Sequence, residues 1–362
     1  MWLDYISRSL LESGKLKNLI DNGLRGMTSN PTIFNQSISE SQDYDEKIVQ
    51  LKEAGSSAFE IYDDLTIRDV QEAADQFRSV HDSTDGLDGY VSLEINPRLA
   101  NFVQEQAKEG KRLFKKVNRP NVMIKVPSTP SGFPVIEELL GDGIPVNVTL
   151  IFSLEQYQNT VKAFLAGMER LASKGANLHK VRSVASVFVS RIDTAVDKLL
   201  EEKIDQTADN TLKEKMKILQ GKAAVAHCQL IFEGFQEQFN GARFQALRKR
   251  GAHEQRVLWA STGTKNPQYS DIKYITELMS RPTVNTVPEK TLNAFLDHGI
   301  VREALTGEPG EDRKHLKTFQ DLGISIDAIC LKLLRDGVTA FEKSFDELLL
   351  SIEKKAQRLC AQ

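Results

Sequence analysis

Eight short apolar segments, each followed by a long amphipathic stretch, constrain the fold of this sequence more than any other feature. The segments predict β-strands at Trp2–Asp4, Gly26–Thr28, Val91–Glu94, Val122–Val126, Pro145–Ile151, Val184–Phe188, Val257–Ser261 and Thr283–Thr286. The stretches between them repeat apolar residues every three or four positions, which predicts helices such as Thr66–Val80, Leu99–Val117, Ser153–Ala172 and Thr211–Gly234. Strands that alternate with helices pair in parallel through helical crossovers.

Eight such units favour the α/β class and, within it, a closed (β/α)8 TIM barrel ringed by helices. An open doubly wound sheet is the alternative. The sequence favours it less because no G-x-G-x-x-G or P-loop motif occurs, and because polar residues end many strands instead of gathering at one switch point. We therefore expect residues 1–300 to form the barrel.

The chain has 362 residues, roughly a hundred more than the about 250 that such a barrel needs. We expect the surplus in a long helical insertion around 193–250 and in a helical C-terminal extension, 301–362. Within the extension, one helical face carries Phe341, Phe345, Leu348, Leu349 and Ile352. Packing of this face on the barrel is the favoured interpretation, with an oligomer interface as the alternative. No linker divides the chain, so a single domain is expected overall.

Charge and cysteine content exclude several classes of protein. Lys and Arg number 47 and Asp and Glu 50, a formal net charge of -3, which argues against a nucleic-acid partner. No run of about 18 apolar residues occurs, and the N-terminus mixes acids with bases, so neither a membrane span nor a targeting peptide is expected. Cys228, Cys330 and Cys360 lie far apart without metal-ligand spacing. This argues against a disulfide framework and a metal site, and favours the cytoplasm.

The predicted strands carry polar side chains that point to carbonyl chemistry. In NVMIKVP, Lys125 projects opposite to Ile124 and Val126. Burial favours the neutral amine, the form that attacks a carbonyl, although an interior lysine paired with a carboxylate for structure explains this strand equally well. Glu94 and Asp4 end two other strands, and the C-terminal rim of a barrel is where its chemistry occurs.

Further polar residues at the same rim suit a phosphorylated sugar. Asn147 and Thr149 in VNVTLIF project together, and a sugar's hydroxyl groups would satisfy them. In ASVFVSR, Ser186 and Arg191 span the turn into a helix, and with the helix N-terminus they would form a phosphate cradle. Lys265, in the loop ASTGTKNP, is a weaker candidate for a second phosphate contact, because such a loop is also an ordinary turn.

Four segments together resemble the transaldolase family, in its order and at the expected strand ends. They are GMTSNPTIF (26–34), MIKVPST (123–129), GIPVNVTLIFS (143–153) and ASVFVSRID (185–193). The combination of T-x-N-P, I-K-x-P and N-x-T-L-x-F-S motifs is specific, and the resemblance extends from Trp2 to about Gly299. The insertion and the extension are similar to those of the longer bacterial and plant-type branch.

The resemblance implies a role for each site residue. Lys125 would form the Schiff base, Asp4 would act on the donor's C4 hydroxyl, and Glu94 with Thr149 would hold the catalytic water. The residues implied in substrate binding are Thr28, Ser29, Asn30, Asn147 and Phe188. The implied phosphate ligands are Ser186 and Arg191, with Lys265 as the candidate second cation, because the family's better-known branch has S-F-R where this chain has residues 261–265.

The activity that the resemblance implies is Schiff-base transfer of a dihydroxyacetone unit, as in the pentose phosphate pathway. The donors would be sedoheptulose 7-phosphate or fructose 6-phosphate, and the acceptors glyceraldehyde 3-phosphate or erythrose 4-phosphate, with no cofactor and no metal. Fructose 6-phosphate aldolase, with Gln and Tyr at the positions of Glu94 and Phe188, is the first alternative. A non-catalytic barrel scaffold is a remote one, and both a monomer and a homodimer fit the sequence.

Overall fold

Eight parallel strands close into a barrel in which each strand pairs with the next along the chain and the last pairs with the first. The computed structural model describes residues 1–305 and 310–361. The strands are β1 (Trp2–Asp4), β2 (Gly26–Thr28), β3 (Tyr90–Glu94), β4 (Val122–Pro127), β5 (Val146–Ile151), β6 (Ser183–Phe188), β7 (Arg256–Ala260) and β8 (Val284–Val287). All eight coincide with predicted strands to within one residue at each end. The predicted (β/α)8 barrel is confirmed, and the open sheet is excluded.

The helices surround this barrel and follow the strands in order. They are α1 (Arg8–Glu12), α2 (Lys15–Asp21), α3 (Pro31–Glu40), α4 (Asp45–Glu53), α5 (Ala58–Gln76), α6 (Arg78–Ser83), α7 (Val103–Val117), α8 (Gly132–Gly141), α9 (Leu154–Ser173), α10 (Ser190–Gln206), α11 (Asn210–Leu219), α12 (Ala223–Asn240), α13 (Ala242–Arg248), α14 (Lys273–Thr276), α15 (Glu289–His298), α16 (Gly310–Asp321) and α17 (Ile326–Cys360). Pro97–Leu99 and Leu178–Lys180 form 3-10 turns. No helix of the described residues is long and apolar enough to cross a membrane.

Local structure before the first turn explains why two predicted helices begin elsewhere. The helix predicted at 66–80 begins at Ala58, because Ser57 and Glu60 form a capping box that satisfies the first free amides. It ends at Gln76, and the shorter α6 follows. The helix predicted from Leu99 begins only at Val103, because the preceding residues form the 3-10 turn.

The single helix predicted over 211–234 is wrong, since the chain breaks there into α11 and α12. Gly221 lies between them with φ of 69°, a left-handed conformation that glycine adopts without a steric cost. The carboxylates of Asp197 and Asp193 accept hydrogen bonds from the amides of Gly221 (2.9 Å) and Ala224 (2.7 Å). These two side chains of α10 therefore cap the start of α12, a long-range effect that helical periodicity does not reveal.

The long C-terminal helix α17 packs on the barrel through the apolar face that the sequence predicts. Phe345, Leu348 and Ile352 on this face are completely buried. The ring of Phe345 meets that of Tyr62 on α5 edge to face, with centroids 5.1 Å apart. The helix also contacts α3, α4, α10 and β5, so its middle crosses the C-terminal end of the barrel. Of the predicted extension, residues 306–309 and Gln362 lie outside the described residues.

We predict that Phe345→Ala lowers the free energy of unfolding by about 3–5 kcal/mol, because it deletes a fully buried aromatic ring between α17 and α5. Urea denaturation followed by circular dichroism measures the change. Leu350→Ala is the matched control, since Leu350 lies on the same helix and is 53% exposed. A Phe345→Ala midpoint equal to that of Leu350→Ala would contradict the role given to this contact.

Candidate active site

Side chains from the ends of the strands converge on a cavity of about 230 Å³ at the C-terminal end of the barrel. Nine of the predicted site residues line it: Asp4, Thr28, Asn30, Lys125, Thr149, Ser186, Phe188, Arg191 and Lys265. The other three, Ser29, Glu94 and Asn147, contact these residues from behind the cavity wall. A larger cavity of about 680 Å³ lies beside α12 and α16, but none of the predicted residues lines it. We place the candidate active site in the smaller cavity, where the polar groups converge.

Lys125 projects into the barrel interior and is 5% exposed. Its register partners on the neighbouring strands are Glu94 on β3 and Asn147 on β5, so the three side chains share the inner face. The amine Nζ donates to the carbonyl oxygen of Ser29 at 2.9 Å and lies 3.5 Å from Oε2 of Glu94. Once it has lost its proton, a primary amine in this position can attack a carbonyl group that enters the cavity.

Glu94 is a buried acid that faces this amine. Burial raises the pKa of Glu94 to about 7, while the charge of Lys125 and its hydrogen bond act in the opposite direction. A carboxyl group that changes charge near neutral pH is suited to take up and return protons. Glu94 therefore has the chemistry of a general acid and base beside the amine.

Asp4 ends β1 on the other side of the cavity. Its Oδ1 accepts a hydrogen bond from the hydroxyl of Thr28 at 2.6 Å, and Thr28 in turn lies 2.7 Å from the hydroxyl of Thr286 on β8. Burial raises the pKa of Asp4, and the charges of Lys125 and Lys265 partly oppose this effect. The raised pKa makes Asp4 a stronger base than an exposed aspartate, while the threonine contact fixes its orientation.

Asn147 connects three strands through its amide group. Its Nδ2 donates to the hydroxyl of Ser92 at 3.0 Å, and its Oδ1 accepts from the hydroxyl of Ser186 at 2.6 Å. The hydroxyl of Ser29 donates to the carbonyl oxygen of Ser92 at 2.7 Å. The hydroxyl of Ser186, which is predicted as a phosphate ligand, thus donates its hydrogen bond to Asn147 in this structure. Asn30 begins α3, and its side-chain oxygen accepts from the amide of Ile33.

Thr149 presents a buried hydroxyl to the cavity. Within the described residues this hydroxyl has no hydrogen-bond partner, which is costly for a polar atom unless a ligand or a water molecule supplies one. The next residue, Leu150, has φ of 59°, and the pairing of β5 with β6 shifts register between Val148 and Ile151. This irregularity interrupts the pairing of β5 with β6 at Thr149 and Leu150, and pairing resumes at Ile151.

Arg191 and Lys265 supply positive charge at the outer part of the cavity. Neither forms an ion pair with any residue of 1–305 or 310–361. Arg191 stacks on Phe188 at 5.3 Å, and burial lowers its pKa. The amide of Ser190, at the start of the same helix, is already bound to the carbonyl oxygen of Ser261. The two unpaired side-chain cations are therefore the principal attraction for an anionic group.

Several cavity residues escape the sequence analysis. Thr286 lies one residue before the end of β8, close to where the other polar residues end their strands, so the same pattern could have found it. Phe341 lies on α17, and its ring centroid is 6.0 Å from the amine of Lys125. Its position in an apolar helical face predicts burial but gives no sign of the cavity. In the described residues no cluster of His, Cys, Asp or Glu has the arrangement of a metal site.

We predict that the Glu94 carboxyl titrates near pH 7 and that Lys125→Met raises this pKa further. The neutral side chain removes the ammonium that favours the carboxylate, so the sign of the shift is upward. Carbon-13 spectra of protein labelled at glutamate carboxyl groups measure the titration, and Glu94→Gln assigns the signal. A Glu94 signal that titrates near the ordinary glutamate value would contradict the prediction.

Comparison with known proteins identifies the family of this chain. The family model described as Transaldolase/Fructose-6-phosphate aldolase matches residues 1–352. A protein named Transaldolase 2 from Streptomyces coelicolor is 44% identical over 361 residues, covering 99% of this chain and 95% of that protein. Proteins named Transaldolase from Thermobifida fusca and Trichodesmium erythraeum are 44% and 40% identical, covering 100% and 99% of this chain and 96% and 95% of their own lengths. The chain therefore belongs to the transaldolase/fructose-6-phosphate aldolase family.

Proposed function

We propose that this protein is a transaldolase, a transferase that moves a dihydroxyacetone unit between sugar phosphates through a Schiff base on Lys125. The observation that carries the proposal is the buried amine of Lys125, which lies 3.5 Å from the Glu94 carboxyl and shares a cavity with Asp4. Family membership supports the same chemistry. The donors we propose are sedoheptulose 7-phosphate and fructose 6-phosphate, and the acceptors are glyceraldehyde 3-phosphate and erythrose 4-phosphate.

The first step joins the donor to Lys125. The free amine adds to the C2 carbonyl and forms a carbinolamine. Glu94, with a pKa near 7, then transfers a proton through a water molecule held at the free hydroxyl of Thr149. The C2 hydroxyl leaves as water, and the nitrogen and C2 become a cationic imine. This imine can accept the electron pair of the bond that breaks next.

The second step divides the donor. Asp4 removes the proton of the C4 hydroxyl, the bond between C3 and C4 breaks, and its electrons pass into the imine to give an enamine. The aldose phosphate leaves with a new aldehyde group. Asn30, which lines the cavity, binds the hydroxyl groups of the remaining three-carbon unit. The binding role implied for Asn147 stays a prediction, since its buried amide is bonded to Ser92 and Ser186. When a second aldose phosphate enters, the same steps run in reverse and form the new ketose, so the reaction needs only side-chain groups and water.

Arg191 and Lys265 bind the substrate's phosphate. Arg191 offers a planar guanidinium group that can form paired hydrogen bonds to phosphate oxygens, and it is held in place by its stacking on Phe188. Lys265 is exposed and contributes a point charge from the loop after β7. The phosphate role predicted for Ser186 stays a prediction, since its hydroxyl proton is donated to Asn147.

Fructose 6-phosphate aldolase is the second member of the matched family description and remains the alternative activity. Glu94 and Phe188 favour transfer, because the aldolases that share this barrel carry Gln and Tyr at these positions. The names of the relatives also favour it. We further propose that the protein acts in the pentose phosphate pathway in the cytoplasm, a location that its three free thiols support.

Lys125→Arg should abolish both turnover and covalent trapping, because an imine forms only on an amine while arginine keeps the charge. Borohydride reduction in the presence of fructose 6-phosphate, followed by mass spectrometry, measures the adduct. Lys273→Arg is the matched control, since Lys273 is also buried but pairs with Glu277 outside the cavity. Adduct mass on Lys125→Arg would show that the Schiff-base assignment is wrong.

Arg191→Ala should raise the KM for phosphorylated donors and acceptors by about tenfold or more, because it removes charge-assisted hydrogen bonds. Lys265→Ala should raise it only severalfold, and neither change should affect transfer from unphosphorylated dihydroxyacetone to an unphosphorylated aldehyde acceptor. Steady-state kinetics with both kinds of substrate measure the difference. Lys354→Ala, which removes an exposed cation of α17 away from the cavity, is the control. Equal losses with both substrates would mean that Arg191 is structural.

A further inference from the structure

Phe341 is the residue of α17 that reaches the reacting groups. Its ring lines the 230 Å³ cavity beside Lys125 and also lines a second cavity of only about 10 Å³ beside Glu94. Apart from Glu94 and Asn96, the residues that line the small cavity are apolar, among them Leu150 and Val338, and it has room for about one water molecule. Phe341 therefore stands between the two cavities, one beside Lys125 and the other beside Glu94.

Contacts on both sides of Phe341 hold its ring in place. One turn before it, Gly337 packs so closely on Leu150 that an added Cβ would lie 3.1 Å from a methyl group of that residue. One turn after it, the buried ring of Phe345 packs on α5. Ser344 accepts a hydrogen bond from Thr32 of α3 at 3.0 Å. The ring is thus a fixed part of the wall.

We propose that Phe341 is a specificity-determining residue that directs the three-carbon unit to a sugar acceptor and away from water. The inference rests on the proposed Schiff-base function. The ring centroid lies 6.0 Å from the nitrogen that carries the imine, a distance at which an aromatic face attracts a cation and occupies the space that water needs. The acceptor enters from the other side, past Arg191 and Lys265.

The reaction that the ring prevents is hydrolysis of the enamine. The enamine carbon takes up a proton and returns to the imine. Water then adds to C2, the bond from C2 to the lysine nitrogen breaks, and dihydroxyacetone and the free amine are released. Water is the only co-reactant, so the rate of this loss depends on how easily water reaches C2 beside Lys125. Transfer and hydrolysis share every step up to the enamine. The ratio of their rates therefore isolates the effect of the ring.

The test is a series of variants, Phe341→Leu, Phe341→Val and Phe341→Ala, that shortens the side chain stepwise. Each is supplied with fructose 6-phosphate, and dihydroxyacetone release without acceptor is compared with transfer to erythrose 4-phosphate. We expect the ratio of release to transfer to rise along the series, by about tenfold for Phe341→Ala. Leu348→Ala is the matched control, because Leu348 is fully buried on the same face but lines neither cavity.

A ratio that stays constant along the series would overturn the inference, as would an equal rise in Leu348→Ala, which would indicate general loosening of α17. The stepwise design decides the matter even where the alanine variant does not fold, because the leucine and valine variants carry the same expectation. Borohydride trapping of the wild-type protein separates the two proposals. Without an adduct on Lys125 the proposed function fails, whereas an adduct with an unchanged ratio contradicts only the role of Phe341.

Discussion

The buried contact between the Lys125 amine and the Glu94 carboxyl group is the interaction on which the site depends. Both side chains are at most 7% exposed, and burial of two ionisable groups stabilises a fold less than apolar residues of the same volume would. Buried apolar residues of the strands surround the pair, and elsewhere in the barrel Asp69 forms a second buried ion pair with Arg8 and also accepts a hydrogen bond from Tyr44. The Lys125 pair is thus retained at a cost in stability, as expected of groups kept for chemistry.

Strand register explains how much of the site the sequence could predict. Lys125 is paired with Glu94 and Asn147 across neighbouring strands, so alternation along each strand was enough to place all three on the inner face. Strand ends were equally predictable, because short apolar runs and the acids that follow them are local features. Other features depend on groups distant in the chain. The hydrogen bond from Ser186 to Asn147 and the break at Gly221 are set by partners that no local pattern identifies.

The helical insertion, whose purpose the sequence left open, is connected to the phosphate end of the site. Asp197 on α10 accepts a hydrogen bond from Tyr269 at 2.6 Å, and Asp193 accepts one from Tyr274 at 2.8 Å. Both tyrosines follow Lys265 in the segment between β7 and β8. The other oxygen of each carboxylate caps the start of α12. These hydrogen bonds connect the segment that follows Lys265 to α10, the helix that carries Arg191. They therefore limit how far the two cations can separate.

The distribution of charge in the cavity determines which way round a substrate can bind. The acids and the amine lie in the interior, whereas Arg191 and the exposed Lys265 lie toward the opening. A sugar with one terminal phosphate gains two unpaired cations when the phosphate points outward, and it would bring its negative charge toward Asp4 and Glu94 if it were reversed. The favoured orientation sends the carbonyl end inward to Lys125. On the side of Lys125 that α17 covers, the cavity wall is the apolar ring of Phe341. The charges of the cavity and the shape of its wall therefore favour the same direction of approach to the amine.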